Sequence, residues 1–110
     1  MEIANLRVRI VRYVDAHQPG WVVCEFEDAE GFTHAVVDKV PILMRENLDQ
    51  GSAYPKSGLM QCEVIERWLD ANGRGVARIT IDRPLSNETS EGKTEFVVYA
   101  AQLSTGAGTV

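Results

Sequence analysis

Two cysteines and two histidines are the residues of this chain whose types suit nucleophilic or metal chemistry. A Cys24 thiolate could act with His34 as its base, since a predicted hairpin brings these two positions near each other. However, His17 falls in a predicted loop, and no serine occupies a glycine-flanked nucleophile turn. A cysteine beside a histidine on paired strands is more typical of packing than of catalysis. We therefore expect no enzymatic activity and no catalytic residues.

The spacing of the same residues argues against a metal centre. Neither Cys24 nor Cys62 belongs to a Cys-x-x-Cys or Cys-x-His pair, and a structural zinc site needs four ligands at workable spacing. Both cysteines fall within apolar runs, which predicts buried, reduced thiols. The glycines occur at turns and in the tail, so they form neither a phosphate-binding loop nor a dinucleotide fingerprint. We expect no metal and no cofactor.

Three arginines, Arg7, Arg9 and Arg12, crowd the first apolar segment of the chain. Together with Tyr13 or Trp21 they could hold single-stranded nucleic acid by charge and stacking. Against this, the 16 acidic residues outnumber the 11 basic ones, and the formal charge is −5. Neighbouring predicted strands carry carboxylates that suit pairing with these arginines, namely Glu25, Glu27, Glu63 and Glu66. Nucleic acid is therefore the alternative interpretation.

Aromatic residues near turns are the better candidates for a partner site. Trp21 and Trp68 lie near predicted strand ends, and Tyr54 precedes Pro55 and Lys56 in a turn-rich segment. Tryptophan and tyrosine dominate protein-binding patches, although packing in the core or at a strand edge explains them equally well. We therefore take these five residues as candidate partner-binding residues.

Two tetrapeptides, Asp28–Gly31 and Asp70–Gly73, predict the elements that position these residues. In each, an aspartate that starts a type I turn is followed three residues later by a glycine suited to the left-handed conformation. Because apolar and polar residues alternate on both sides, each tetrapeptide predicts a β-hairpin with a three-residue loop and a bulge.

The alternation predicts six strands: Leu6–Val14, Trp21–Glu27, Phe32–Asp38, Leu59–Leu69, Gly75–Ile81 and Glu95–Ala101. A short helical turn is expected over 42–48, between the third and fourth strands. The fold class is all-β: a six-stranded antiparallel small barrel with the strand order of an OB fold, or a sandwich. One domain is expected over residues 1–103, with a flexible tail over 104–110.

The predicted loop length also fixes which residues share a face. In the first hairpin Phe26 should face His34, so that Val22, Cys24, Phe26, Phe32 and Val36 lie on one face. In the second hairpin the apolar face should comprise Ile65, Leu69, Ala77, Ile79 and Ile81. A break in alternation near Ile10 and Val11 predicts a bulge. The polar stretch 86–94 should be a mobile surface loop.

These observations indicate a class of function rather than a particular activity. Composition is ordinary for a soluble domain, with 45% apolar and 25% charged residues. No signal-peptide-length or membrane-spanning apolar stretch occurs, so we expect a cytoplasmic location and no membrane partner. The sequence favours a non-catalytic binding module for a protein partner, such as an immunity or antitoxin-like neutraliser of a basic protein. Unpaired strand edges also allow a homodimer.

Overall fold

The computed structural model describes residues 2–15, 21–39, 55–84 and 86–104, and within these ranges the chain is built almost entirely of β-strands. There are seven: β1 (Glu2–Asp15), β2 (Trp21–Glu27), β3 (Thr33–Lys39), β4 (Lys56–Leu69), β5 (Gly75–Thr80), β6 (Glu95–Tyr99) and the two-residue β7 (Leu103–Ser104). A short 3-10 turn (Ala100–Gln102) joins β6 to β7. The all-β class is confirmed. The helical turn expected over 42–48 lies outside the described residues.

The strands form one antiparallel sheet in the order β3-β2-β1-β4-β5-β6, curled into a half-barrel. The first five strands of this order are those of an OB fold, as predicted. Strand β1 is central because it pairs with β4 through residues 2–10 and with β2 through residues 9–15. Strand β7 joins the β2 side of β1 at Asn5 and Leu6. Ser104, expected in the flexible tail, is thus part of the sheet.

Both predicted hairpin turns form with the same backbone geometry. Gly31 N–H donates to Asp28 O and Gly73 N–H donates to Asp70 O, each at 3.0 Å. The two glycines have φ of +89° and +79°, in the left-handed region that disfavours side chains. The Asp-x-x-Gly signal therefore identified both turns correctly.

The register of the first hairpin is also confirmed, with one exception in burial. Phe26 pairs with His34 and Cys24 with Val36, as the three-residue loop requires. Phe32, predicted on the same face as Phe26 and Val36, is 63% exposed. Alternation places Phe32 on the inner face, but this residue lies in the turn before β3, beyond the end of the core.

A bulge changes the inner face of the second hairpin. The β4–β5 register shifts between Val64 and Glu66, so that the residues of β4 beyond Ile65 change faces relative to simple alternation. The predicted face is therefore wrong at Ile65, because Val64 lies opposite Ile79 instead. Leu69 pairs with Gly75 and shares the face of Ala77, as predicted, but it is 70% exposed at the end of the hairpin. The bulge predicted in β1 is present, between Ile10 and Arg12.

The core lies inside the curled sheet, on the faces that each strand turns inward. Its fully buried side chains include Leu6, Ile10, Val22, Cys24, Phe26, Val36, Met60, Cys62, Ile79, Ile81 and Val98. Both cysteines are buried free thiols, as predicted. Burial raises the pKa of the Cys62 thiol to about 11.

The polar 86–94 segment, predicted as a surface loop, forms hydrogen bonds with the protein backbone. Asn87 N–H donates to Ile81 O at 2.9 Å. Thr89 N–H donates to Lys93 O at 3.0 Å, and Lys93 N–H donates to the Thr89 side-chain Oγ1 at 3.1 Å. The side chains of Asn87 and Thr89 are buried. Polar side chains and backbone groups, rather than apolar anchors, therefore attach this segment to the barrel.

Candidate partner-binding surface

The predicted site residues do not form one site. Trp21, Pro55 and Lys56 lie toward one end of the sheet, where Lys56 pairs with Ile10 of β1 and Trp21 begins β2. Trp68 lies twelve residues beyond Lys56, near the other end of the same strand. Tyr54 lies outside the described residues. Trp68 is thus the only predicted residue in the surface described next.

Trp68 belongs to a row of side chains on the outer face of the half-barrel. It pairs with Val76 of β5, and Val76 pairs with Tyr99 of β6, so these three side chains project from the same face. Trp68 is 40% exposed and Tyr99 is half-buried, while Val76 between them is buried. With strands about 4.8 Å apart, the two aromatic rings define an apolar strip about 10 Å wide.

The β4–β5 turn places an arginine against the end of this strip. Asp70 Oδ1 accepts hydrogen bonds from the backbone N–H groups of Asn72 and Arg74, both at 2.9 Å, which fixes the turn. The Arg74 guanidinium lies over the Tyr99 ring, 3.7 Å from its centroid. This cation–π contact keeps the planar cation and the ring in one orientation.

Tyr99 and Arg74 also line an open groove of about 590 Å³, which we call the seam groove. Its wall and floor are formed by Arg7, Val8, Arg9, Glu25, Phe26, Glu27, Asp28, Ala29, Glu30, Gly31, Ser57, Arg74, Tyr99, Ala101 and Gln102. The strip and the seam groove share Tyr99, and Arg74 lies against both, so they form one continuous surface.

The seam groove exists because β1 changes partners on one side. That side pairs with β7 at residues 5 and 6 and with β2 from residue 9 onward, leaving residues 7 and 8 unpaired there among the described strands. The tip of the β2–β3 hairpin contacts β6, since Ala29 N–H donates to Val97 O at 2.8 Å. Gln102 Nε2 donates to Glu27 O, also at 2.8 Å.

Charges in the seam groove are mixed and partly paired internally. Arg9 lies 3.6 Å from Glu25 and 3.7 Å from Glu27, which confirms the expected pairing of this arginine across the sheet. The other two glutamates proposed as its neighbours pair elsewhere, Glu63 with Arg83 and Glu66 with Arg78. Arg7 forms no ion pair within the described part of the chain.

Asp28 and His34 form a hydrogen-bonded pair that is well shielded from solvent at the hairpin tip. His34 Nε2 donates to Asp28 Oδ2 at 2.7 Å, and the side chains are 15% and 10% exposed. The imidazole packs against Phe96 and Phe26, with ring centroids 4.6 Å and 5.5 Å away. Burial would raise the pKa of Asp28, but hydrogen bonds from His34 and two backbone N–H groups outweigh burial and hold it below its ordinary value.

Cys24 and His34 are not direct cross-strand partners. His34 directs its Nε2 to a carboxylate, and its partner across the hairpin is Phe26 rather than Cys24. Among the residues that the structure describes, no three His, Cys, Asp or Glu side chains are grouped to hold a metal ion. No helix within these ranges is long and apolar enough to cross a membrane.

Comparison of the chain with protein-family models, with curated proteins and with solved structures gives no match.

The sequence predicts little of the surface described above. The sequence suggests Arg7 and Arg9 only as contacts for nucleic acid, and it does not single out Tyr99. The one usable signal was Arg74, which directly follows the Asp70–Gly73 turn and so had to lie at a hairpin tip.

Proposed function

We propose that this chain is a non-catalytic binding module that engages a protein partner through the Trp68–Val76–Tyr99 strip and the adjoining seam groove. The observation that carries the proposal is the adjacency of Trp68, Tyr99 and Arg74 on one partly exposed surface. Tryptophan, tyrosine and arginine are the residues that most often dominate binding energy at protein interfaces. The turn and the cation–π contact hold Arg74 and Tyr99 in place, which lowers the entropy lost on binding.

The charge of the molecule supports a narrower version of this role. A net charge of −5 accelerates encounter with a basic partner, as an immunity or antitoxin-like neutraliser requires. Two buried, unbridged thiols fit a reducing compartment such as the cytoplasm.

Single-stranded nucleic acid is the second candidate, favoured by the OB-like strand order and by an arginine stacked on Tyr99. The seam groove, however, is lined by four carboxylates against three arginines. Arg9 is already shared between two glutamates. A run of phosphates would meet net negative charge here, so we rank this candidate below a protein partner.

Affinity capture from the source cell with the immobilised full chain tests the proposal. We expect Trp68→Ala and Tyr99→Ala each to reduce recovery of the captured protein at least tenfold, as hot-spot residues do. Val37→Ala is the matched control, because Val37 is 48% exposed on β3 and does not line the seam groove. Thermal melts of every variant separate lost binding from lost folding.

Equal recovery by the Trp68, Tyr99 and Val37 variants would refute this surface as the binding site. The nucleic-acid candidate predicts instead that a random single-stranded oligonucleotide binds at physiological salt with micromolar or lower Kd. That binding should be abolished by Arg7→Ala combined with Arg74→Ala.

A further inference from the structure

Two arginines of the seam groove lack a carboxylate partner among the described residues, whereas four other arginines of the chain have one. Arg9, Arg67, Arg78 and Arg83 each pair with at least one glutamate. Arg7 and Arg74 do not pair with any carboxylate in the described ranges, although the chain has 16 acidic residues. Both are exposed and both line the same groove. Their hydrogen-bond donors are thus available to a ligand.

The carboxylates of the seam groove are mostly engaged. Glu25 and Glu27 share Arg9, and Asp28 accepts hydrogen bonds from His34 and from the backbone N–H groups of Glu30 and Phe32. Of the four carboxylates in this groove, only that of Glu30 has no partner within the described residues. An incoming group therefore meets two uncommitted guanidinium groups and one uncommitted carboxylate.

We propose that the seam groove holds a single carboxylate of the partner protein, from an acidic side chain or from its carboxyl terminus, between Arg7 and Arg74. A guanidinium donates two parallel hydrogen bonds to a carboxylate, so this ligand matches the free donors. One carboxylate tolerates the nearby glutamates, whereas a polyanion would meet all four acidic residues of the lining. The proposal rests on the protein-binding function above and adds the chemistry that the groove recognises.

This site is compatible with a partner that is basic as a whole. Long-range attraction depends on the net charge of −5, while the groove reads one group at contact distance. A partner whose surface is basic overall but presents one acidic residue would satisfy the long-range attraction and the recognition in the groove. A basic residue of the partner next to this acidic residue would lie opposite Glu30.

Titration of the full isotope-labelled chain with blocked five-residue peptides tests the proposal by NMR. The probes share one scaffold with a central glutamate, a central glutamine, or a central glutamine and a free carboxyl terminus. We expect the glutamate peptide to shift the Nε–Hε resonances of Arg7 and Arg74 and to bind about tenfold more tightly than the blocked glutamine peptide. Tight binding of the third peptide would assign the site to a carboxyl terminus.

Arg7→Gln and Arg74→Gln should each weaken binding of the charged peptide about tenfold. Arg12→Gln is the matched control, because Arg12 is also exposed on β1 and unpaired among the described residues but lies outside the groove. The proposal is overturned if neither carboxylate-bearing peptide binds more tightly than the blocked glutamine peptide, or if the Arg12 variant shows an equal loss.

The capture experiment distinguishes this failure from failure of the proposed function. Recovery that depends on Trp68 and Tyr99 but is unchanged by Arg7→Gln would retain the protein-binding role and refute the carboxylate site. Carboxylate-dependent peptide binding without any captured protein would retain the site and refute the role.

Discussion

The two hairpin turns form a matched pair in which one aspartate makes an additional contact. Asp28 and Asp70 each accept two backbone hydrogen bonds of 2.9–3.0 Å through one carboxylate oxygen. Asp28 alone also accepts a hydrogen bond from a histidine, His34, at 2.7 Å. Replacing each aspartate by alanine therefore isolates the contribution of the His34 contact against a common background.

We expect Asp70→Ala to lower the free energy of unfolding by about 1 kcal/mol, the typical cost of losing a side chain that caps backbone N–H groups. Asp28→Ala should cost about 1.5 kcal/mol more, because a hydrogen bond involving a charged group contributes about 1.5–3 kcal/mol and this pair is well shielded from water. Urea titrations at neutral pH measure both values, provided that the m-value is unchanged.

A double-mutant cycle with His34→Ala makes the test specific. Asp28 and His34 should show a coupling energy of about 1 kcal/mol or more, whereas Asp70 and His34 should show none. Equal losses for the two aspartate variants, or no coupling between Asp28 and His34, would refute the reasoning.

The same contact gives a pH dependence whose sign follows from the pKa of Asp28. Its folded-state pKa lies below the ordinary 3.8, so the unfolded chain binds the proton more readily. The stabilisation is complete above pH 3.8 and is lost as pH falls through the folded-state pKa. The difference in stability between the parent and Asp28→Ala should therefore shrink between pH 6 and pH 3.

Three further predictions concern the rest of the barrel. Gly31→Ala and Gly73→Ala should each cost about 1 kcal/mol in urea titrations, through φ alone, since no neighbouring atom lies within 4 Å of an added Cβ; unchanged midpoints would contradict the turn geometry. Cys24 and Cys62 should resist thiol reagents in the native chain and react fully in guanidinium, and rapid native labelling would contradict their burial. Thr89→Val should cost about 1 kcal/mol by losing the hydrogen bond from Lys93 N–H, and should make its loop the first site cut by a glutamate-specific protease, whereas an unchanged digest would show that this bond does not hold the loop.

The turns and the hairpin registers were predictable because short stretches of sequence determine them. Asp28–Gly31 and Asp70–Gly73 each contain everything their turns require, and a loop of known length then fixes the register of both hairpins. The bulge at Ile65 has no such local signal, and it places Val64 rather than Ile65 opposite Ile79. Phe32 and Leu69 lie at hairpin ends and are exposed, because the alternation of apolar residues identifies a face of the sheet but not where the core ends.

The candidate surface depended on contacts between distant parts of the chain. The seam groove combines residues near position 8, residues 25–31 and residues 99–102, and only the curvature of the sheet brings these together. Residue type alone made Trp68 a candidate partner-binding residue, whereas its neighbour Tyr99 follows only from the β4–β5–β6 register. Trp21, Pro55 and Lys56 were grouped with Trp68 by residue type, and residue type carries no information on distance.

The central position of β1 in the sheet also has a consequence for synthesis of the chain. Translation completes β1 at residue 15 but its partner β4 only at residue 69, an interval of 54 residues. At about 5–20 residues per second, the β4 side of β1 waits roughly 3–11 s for its partner. During that time Leu6, Val8 and Ile10 remain uncovered on an open strand, and Arg7 and Arg9 between them supply the charge that discourages association with other nascent chains.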